Sequence, residues 1–226
     1  IVGYAQAVRA GAIPPDVKKY GEIIEEIGRA GEHLQRMIGD MIDWAAIERQ
    51  TLELAQTELD IGDVIEDAYS MVRPDVERLG LSVEDIPVPE KYIIVGDYHR
   101  LVQVFVNLFQ NVLRYGSSGG RFGVSVDQQS KVADSDVADA HVRDKTSVEI
   151  EVWDAGPGIP PEKREEIFHA FVQAGGSQGE TKEKGLGLGL PLSRQLIRSM
   201  SGELWASESG CGGAAFRLRL PAAFRS

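Results

Sequence analysis

The sequence is poor in cysteine, in long apolar runs and in positive charge. Cys211 is the only cysteine among 226 residues, which excludes a disulfide framework and a cysteine-ligated metal site and favours a reducing compartment. No apolar run approaches the roughly 18 residues that cross a bilayer, so we expect no membrane contact by this chain. Its 24 basic and 35 acidic residues give a net charge of -11, which argues against a nucleic-acid-binding surface because phosphate contacts require clustered Lys and Arg.

Residues 1–50 are predicted to form a helical hairpin. Residues 1–10 have a helical pattern, and the Gly- and Pro-containing segment 11–15 indicates a turn. The apolar positions of the second helix then follow the 4-3 spacing of a coiled-coil seam: Tyr20, Ile24, Ile27, Gly31, Leu34, Ile38, Met41 and Ala45. So broad an apolar face favours dimerisation into a four-helix bundle. An amphipathic helix packed on its own domain is the alternative.

From residue 57 to residue 226, helical and strand patterns alternate as in an α/β sandwich. Asp60 is suited to cap a helix over 61–79 that ends at Gly80 and is kinked or broken at Pro74. The other predicted helices cover 97–115, 162–171 and 188–200, and the predicted strands cover 92–95, 122–127, 147–153, 203–207 and 214–220. Residues 51–60 are taken as a short connector and the charged segment 128–146 as a solvated excursion. The expected fold class is therefore α+β, a helical hairpin followed by a sandwich.

The predicted helix after Asp97 carries a polar cluster beside its apolar stripe. Asn107 and Asn111 are four residues apart and share one face, with Arg114 and Tyr115 one turn further on. The Asn111 amide oxygen suits Mg²⁺, which prefers oxygen ligands. Arg114 suits a phosphate, and Tyr115 suits stacking on a base. Two asparagines hydrogen-bonded at a helix surface are an equally good interpretation.

Asp154 ends a predicted strand and is followed by Gly156 and Gly158. Glycines at these positions allow a tight turn and a close approach of the backbone to a ligand. A carboxylate is suited to accept a hydrogen bond from an exocyclic amine, and it would then prefer adenine over guanine. The alternative is a hairpin turn capped by the aspartate.

The segment GLGLGL at 185–190 precedes a helix, and glycines there expose backbone N–H groups to an anion. Its spacing is neither that of a P-loop nor G-x-G-x-x-G, because Leu190 occupies the last position. The preceding segment 172–184 is interpreted as a lid over a nucleotide, with Lys182 and Lys184 as phosphate contacts. A plain linker is the alternative.

Together these segments resemble the four boxes of the histidine kinase branch of the Bergerat-fold (GHKL) ATP-binding family. NLFQN resembles the N box, DAGPGI the G1 box, IFHAFVQ the F box and KGLGLGL the G2 box. The segment MIGDMIDWAAIE resembles the exit of that family's dimerisation and phosphotransfer hairpin. The resemblance covers nearly the whole chain, with residues 1–50 as the hairpin and 57–226 as the ATP-binding domain.

The resemblance implies that ATP and Mg²⁺ are bound. It makes Asn111 the Mg²⁺ ligand, Asp154 the adenine-reading carboxylate, and Asn107 and Arg114 the residues nearest catalysis. The remaining nucleotide contacts that it implies are Tyr115, Gly156, Gly158, Ile159, Phe168, Lys182, Lys184, Gly185, Leu186, Gly187, Leu188 and Gly189. ATP-hydrolysing members of the family carry a Glu base where this chain has Asn107, and an amide cannot take up the proton. Phosphoryl transfer to a side chain is therefore favoured over hydrolysis.

The function that the resemblance implies is a dimeric histidine kinase of a two-component system. It would phosphorylate its own dimerisation helix and pass the phosphate to the receiver domain of a response regulator. None of the four histidines lies in the family's H-[DE]-x-x-x-P acceptor motif. Because the chain starts at Ile1 within a predicted helix, we expect a piece of a longer, cytoplasmic protein or the cytoplasmic part of a membrane-tethered one. A degenerate kinase with a regulatory role and a GHKL ATPase are the alternatives.

The heptad seam predicts the oligomeric state. Replacing Ile27 and Leu34 with charged residues places unpaired charges in the seam, and we expect monomers as a result. Light scattering measures this directly, and an unchanged dimer mass would show that the seam is not the interface.

Overall fold

The computed structural model describes residues 17–49, 51–86, 88, 90–130, 146–172 and 186–223. Four α-helices fall within these residues: α1 Val17–Glu48, α2 Ile61–Leu79, α3 Tyr98–Asn111 and α4 Gly189–Ser199. The same residues contain seven strands: β1 Thr57–Asp60, β2 Ser82–Glu84, β3 Ile93–Gly96, β4 Arg121–Ser130, β5 Thr146–Asp154, β6 Glu203–Glu208 and β7 Ala214–Pro221. Shorter turns are a π-helix at Val112–Gly116 and 3₁₀ turns at Ser117–Gly119, Pro161–Lys163 and Glu166–Phe168.

Five strands form a mixed sheet in the order β2-β4-β5-β7-β6. The short β2 pairs parallel to β4, and the other neighbours pair antiparallel. β1 and β3 form a separate two-stranded antiparallel ribbon. The predicted α+β class is confirmed.

One face of the sheet lies in the core. Alternate residues of β5, such as Val148, Ile150 and Val152, are buried, as expected for strands with one covered face. Helix α3 contributes Phe105 and Phe109 to this core and packs against both α2 and α4. The outward-facing residues of the strands include ion pairs at Arg217–Glu151, 2.7 Å, and Arg219–Glu149, 3.0 Å.

The predicted ends of α2 are confirmed. The Asp60 carboxylate accepts a hydrogen bond from the Gly62 N–H at 3.1 Å, and Gly80 ends the helix in the left-handed conformation, φ 66°. Of the kink or break predicted at Pro74, the break is wrong because α2 is continuous through this residue, and the kink stays a prediction. Val72 and Val76 lie on either side of Pro74 and are both buried, so both halves of the helix pack in the core.

Three predicted segments differ from the structure. The connector 51–60 contains strand β1, which forms because residue 93 and its neighbours offer a pairing edge that the local sequence does not reveal. The helix predicted over 162–171 is two 3₁₀ turns separated by Arg164 and Glu165, and His169 follows the second turn in an extended conformation. The segment makes the hydrogen bonds of 3₁₀ turns rather than those of an α-helix, and Ile167 and Phe168 are buried. The predicted excursion 128–146 contributes its ends to β4 and β5, and its middle lies outside the described residues.

Helix α1 lies against the sandwich near its C-terminal end. The Asp43 carboxylate accepts hydrogen bonds from Arg100 at 2.5 Å and from Gln103 at 3.0 Å, both on α3. Several apolar residues of α1 are exposed, namely Ile24, Leu34, Ile38, Met41 and Ile42. The first helix of the predicted hairpin lies outside the described residues, and the boundaries at 50 and 57 stay a prediction. Within the described part, no helix is both long and apolar enough to cross a bilayer.

Candidate functional site

Asp154 is the buried acidic residue at the end of β5. The residue is 3% exposed, and Oδ1 accepts hydrogen bonds from the Gly156 N–H at 2.8 Å and the Ala214 N–H at 3.2 Å. Burial raises the pKa of this carboxyl above its ordinary value, and the two N–H groups oppose that rise by stabilising the anion. Among the described residues, no hydrogen bond is made to Oδ2. This oxygen is therefore available to accept one from a ligand.

Three glycines allow the backbone to close around Asp154. A Cβ on Gly116 would lie 2.5 Å from Asp154 Cγ, and a Cβ on Gly213 would lie 2.1 Å from the Asp154 carbonyl oxygen. A Cβ on Gly156 would lie 2.6 Å from the Gly116 Cα. No larger residue fits these positions without moving the backbone. The end of the π-helix, the end of β5 and the β6–β7 turn therefore meet at Asp154.

Asn111 ends α3, immediately before the π-helix. Its Nδ2 donates to the Asn107 carbonyl oxygen at 2.8 Å. Because the amide donates through its nitrogen, this bond orients the side chain, and the Asn111 Oδ1 accepts no hydrogen bond from the described residues. That oxygen suits a hard cation such as Mg²⁺.

The π-helix places Arg114 and Tyr115 on the surface. Both residues are exposed, Tyr115 by 48%. The sequence pattern predicted one α-helix through residue 115, but the hydrogen bonding changes after Asn111. Isolated π-turns occur often at functional sites, and this one brings Gly116 against Asp154 while leaving Arg114 and Tyr115 open to a ligand.

Asn107 lies on α3 one turn before Asn111 and faces α4. Its Nδ2 lies 3.5 Å from the Gly189 carbonyl oxygen and 3.4 Å from the Ser193 Oγ. Both distances are long for hydrogen bonds. Replacing these contacts with contacts to a ligand would therefore cost little free energy. The structure thus brings two predicted site residues, Asn107 and Gly189, to the same place.

The start of α4 lies against the end of the F-box segment. Gly187 has φ 71°, and a Cβ there would lie 2.7 Å from the Val172 carbonyl oxygen. The Phe171 N–H donates to the Gly187 carbonyl oxygen at 3.1 Å. These contacts place Leu186, Gly187, Leu188 and Gly189 together at the N-terminal end of α4. The predicted site residues Lys182, Lys184 and Gly185 lie outside the described residues.

Packing or backbone conformation defines the positions of three further predicted nucleotide contacts, Phe168, Gly158 and Ile159. Phe168 is buried, and the guanidinium carbon of Arg194 lies 4.6 Å from the centroid of its ring. Gly158 has φ 74°, and its added Cβ would lie 3.3 Å from the Gly212 carbonyl oxygen. Ile159 is partly buried against the core. Phe168 therefore packs beneath α4, while Gly158 adopts a left-handed conformation against the β6–β7 turn.

The predicted residues form two clusters connected by α3. One cluster surrounds Asp154, and the other comprises Asn107 and the start of α4. Asn111 lies on α3 between them. A ligand with a hydrogen-bond donor at one end and an anionic group at the other suits this arrangement, because helix N-termini attract anions.

A cation bound at this site would receive few coordinating atoms from the described protein residues and would need the rest from the bound molecule. Within the described ranges, no group of three or more His, Cys, Asp or Glu side chains is placed to hold a metal. Asn111 supplies one neutral oxygen. Mg²⁺ is commonly held by few protein groups together with phosphate oxygens, so the residues present fit a Mg²⁺–phosphate complex.

A cavity of about 480 Å³ lies between α1 and α4, and its lining includes Pro191 near the start of α4 but neither Asn107 nor Gly189. Trp44, Phe168, His169, Arg194 and Arg198 are among its lining residues. None of the residues around Asp154 lines it. This cavity belongs to the contact between α1 and the sandwich.

The sequence patterns did not indicate that Gly116, Ser209 and Gly213 contribute to the site around Asp154. Ser209 is buried, and its hydroxyl bonds to the Asp154 carbonyl oxygen. The only local signal is the small, Gly-rich turn SGCGG at 209–213 between two strands. Its contact with residue 154, 55 positions away, is decided by the pairing of β5 with β7.

The sequence profile of one protein family, described as histidine kinase-, DNA gyrase B- and HSP90-like ATPase, matches residues 96–223. This chain belongs to that family. The matched range contains Asn107, Asn111, Asp154 and Gly189, so both clusters lie inside the GHKL domain. The expected membership of an ATP-binding family is confirmed.

Curated relatives of this GHKL chain are histidine kinases. The histidine protein kinase DivJ of Caulobacter vibrioides is 29% identical over 98% of this chain, which spans 34% of that relative. The adaptive-response sensory kinase SasA of Thermosynechococcus vestitus is 30% identical over 88% of this chain, which spans 50% of that relative. The chain thus corresponds to about a third to a half of these proteins.

Solved structures agree on the fold. Full-length ShkA in complex with AMPPNP aligns with a TM-score of 0.68 and 22% identity over 96% of this chain and 41% of that one. The Acinetobacter baumannii histidine kinase AdeS aligns with a TM-score of 0.68 and 21% identity over 98% of this chain and 93% of that one. The helical segment and the sandwich together therefore have the architecture of solved histidine kinases.

Ionisation of the buried Asp154 is expected to cost stability. Its folded-state pKa is raised from 3.8, so its stabilising contribution is complete below that value and is lost as the pH rises through the folded pKa. Asp154→Asn retains an oxygen for the two N–H groups and carries no charge. We expect equal melting temperatures at acid pH, below the ordinary carboxyl pKa, and a variant that melts higher than the wild type at neutral pH.

Calorimetric melting of both proteins across this pH range measures the difference. Asp127→Asn, at an exposed position of β4, is a control that should show no such divergence. A variant that becomes less stable than the wild type as the pH rises would contradict the raised pKa.

Proposed function

We propose that residues 96–223 bind Mg-ATP and that the chain is the catalytic core of a sensor histidine kinase. The observation that carries the proposal is the Asp154 carboxylate, buried, saturated at Oδ1 by two backbone N–H groups and unoccupied at Oδ2 within the described structure. A carboxylate in this state discriminates strongly between a donor and an acceptor on a ligand. The adenine amine is such a donor.

The other roles follow from the two clusters. Gly187 and Gly189 at the N-terminal end of α4 would face the phosphates, since the unpaired N–H groups of a helix start favour anions. Asn111 would hold Mg²⁺ through Oδ1, and the ion would neutralise charge developing on the transferred phosphoryl group. Arg114 and Tyr115 are exposed, so Arg114 would meet a phosphate and Tyr115 would offer its ring to the base.

Asn107 favours transfer to a protein side chain over hydrolysis. Its amide has no basic atom to remove a proton from water, and its nearest partners are Gly189 and Ser193. We infer that the acceptor lies on the dimerisation helix and that a response regulator receives the phosphate afterwards. The kinase names of DivJ and SasA support this inference.

The exposed apolar side chains of α1 support a homodimer. Leu34, Ile38 and Met41 are each at least half exposed, although they occupy consecutive positions of the predicted seam. Apolar residues at heptad spacing are normally covered by a partner helix. We therefore propose that a second copy of the helical segment covers them.

Removing the charge of Asp154 is expected to weaken nucleotide binding. Asp154→Asn replaces one carboxylate oxygen with an amide NH₂, which repels the adenine amine. We expect ATP affinity to fall by about one to two orders of magnitude, which corresponds to one charge-assisted hydrogen bond. Titration calorimetry measures it, with Asp127→Asn as the exposed control; equal affinities for Asp154→Asn and wild type would refute the role.

Kinase activity is tested on the full-length protein with γ-labelled ATP and Mg²⁺. We expect label on the protein that is lost in acid and kept in base, as a phosphoryl group on an imidazole nitrogen behaves. Asn111→Ala should slow labelling by at least about tenfold, because one Mg²⁺ ligand is lost. ATP binding without labelling would identify a regulatory module instead, and steady phosphate release without labelling would identify an ATPase.

A further inference from the structure

The hydroxyl of Ser209 lies at the centre of the turn between β6 and β7. Ser209 is 5% exposed. Its Oγ donates to the Asp154 carbonyl oxygen at 2.8 Å and accepts from the Gly213 N–H at 2.9 Å. The Ser209 N–H in turn donates to the Gly213 carbonyl oxygen at 2.9 Å. One side chain thus joins the turn to the end of β5.

This bond replaces strand pairing where the sheet ends. The paired register of β5 and β7 stops at Trp153 opposite Ala215, one residue before Asp154. At that point the Asp154 carbonyl oxygen accepts from the Ser209 hydroxyl. The backbone of Asp154 is therefore positioned by the Ser209 side chain on this edge and by pairing with Phe122 of β4 on the other.

The same hydroxyl also positions a donor to the Asp154 carboxylate. Gly213, whose N–H is bound by Ser209, directly precedes Ala214, whose N–H bonds to Asp154 Oδ1. Movement of the turn would displace this donor relative to Oδ1. Ser209 thus acts on Asp154 twice, through its backbone and through one of the two bonds that orient its carboxylate.

The turn offers no room for a side chain at Gly213. A Cβ there would lie 2.1 Å from the Asp154 carbonyl oxygen, so the hydroxyl reaches Asp154 from a position four residues earlier. Removing it would leave two buried backbone groups, the Asp154 carbonyl and the Gly213 N–H, without this partner. Unsatisfied buried polar groups are costly, and the turn is expected to shift to relieve them.

We propose that Ser209 is a positioning residue that determines base selectivity by fixing the orientation of the Asp154 carboxylate. The proposal rests on the proposed role of Asp154 in reading the adenine amine. Selectivity depends on Oδ2 facing the base, and rotation of the carboxylate would present an acceptor less well aligned with the amine. Loss of the Ser209 hydroxyl should therefore affect adenine more than a base lacking the amine.

The experiment compares ADP with inosine diphosphate, whose base carries an oxygen in place of the amine. Affinities of both are measured by titration calorimetry for the wild type and for Ser209→Ala. We expect the ratio of the two affinities to fall by roughly fivefold to tenfold, the worth of about one hydrogen bond. Ser209→Thr, which retains a hydroxyl, should restore most of the ratio.

Ser207→Ala is the matched control. Ser207 is two residues away on β6, and its Oγ is buried without a hydrogen-bond partner among the described residues. Ser207→Ala also removes a buried serine Oγ, but it removes no hydrogen bond to Asp154 or Gly213 among the described residues. We expect the ADP-to-inosine diphosphate ratio of this variant to equal that of the wild type.

The outcomes distinguish a failure of the positioning role of Ser209 from a failure of the adenine-reading role of Asp154. Equal weakening of both nucleotides in Ser209→Ala, or a lower melting temperature with an unchanged ratio, would show a purely structural role and overturn the proposal. An unchanged ratio in Asp154→Asn would instead refute the adenine-reading role itself. If Ser209→Ala does not fold, Ser209→Cys keeps the shape, weakens both hydrogen bonds, and should reduce the ratio in the same direction.

Discussion

The burial of one carboxylate determines how this end of the molecule is built. Asp154 is almost fully enclosed, and a buried acid is costly unless hydrogen bonds satisfy it. Two N–H groups satisfy Oδ1, and glycines at 116, 156 and 213 let three backbone segments approach closely enough to enclose it. The pKa of Asp154 is still raised, because these two hydrogen bonds do not fully offset the cost of burying the charge. We propose that a group so costly to bury is retained because its free oxygen recognises a ligand.

Helix α3 connects this carboxylate to the proposed phosphate end. Its apolar face, with Phe105 and Phe109, is held in the core, so its polar face is held rigidly as well. Asn107 and Asn111 then project from one surface, and the π-turn that follows brings Gly116 to Asp154. Packing of the helix into the core therefore sets the spacing between the two ends of the candidate site.

Helix α1 is attached to this same helix. Asp43 accepts hydrogen bonds from Arg100 and Gln103, and all three side chains are at least partly buried. Partly buried ion pairs with a third partner specify geometry better than exposed pairs do. The helical segment and the ATP-binding domain thus have a defined contact, while several apolar residues of α1 remain exposed.

Much of this organisation was predictable from local patterns. Asp60 and Gly80 marked the ends of α2 because capping depends on neighbouring residues only. The four boxes identified the family because their residue types and order are themselves the signal. Strand β1 and the 3₁₀ path of residues 161–168 were not predictable, because a pairing partner and burial by distant residues decide them.

The sequence by itself determined the fold class, the family and the identity of the residues with suitable chemistry, such as Asp154 and Asn111. Only the tertiary structure decided how those residues are held. The hydroxyl of Ser209, the N–H of Ala214 and the missing side chain of Gly116 meet Asp154 from segments 38 to 60 positions away. Hydrogen bonds and close packing depend on distance in space, and no local pattern encodes contacts that arise only when β5, β7 and the end of α3 come together.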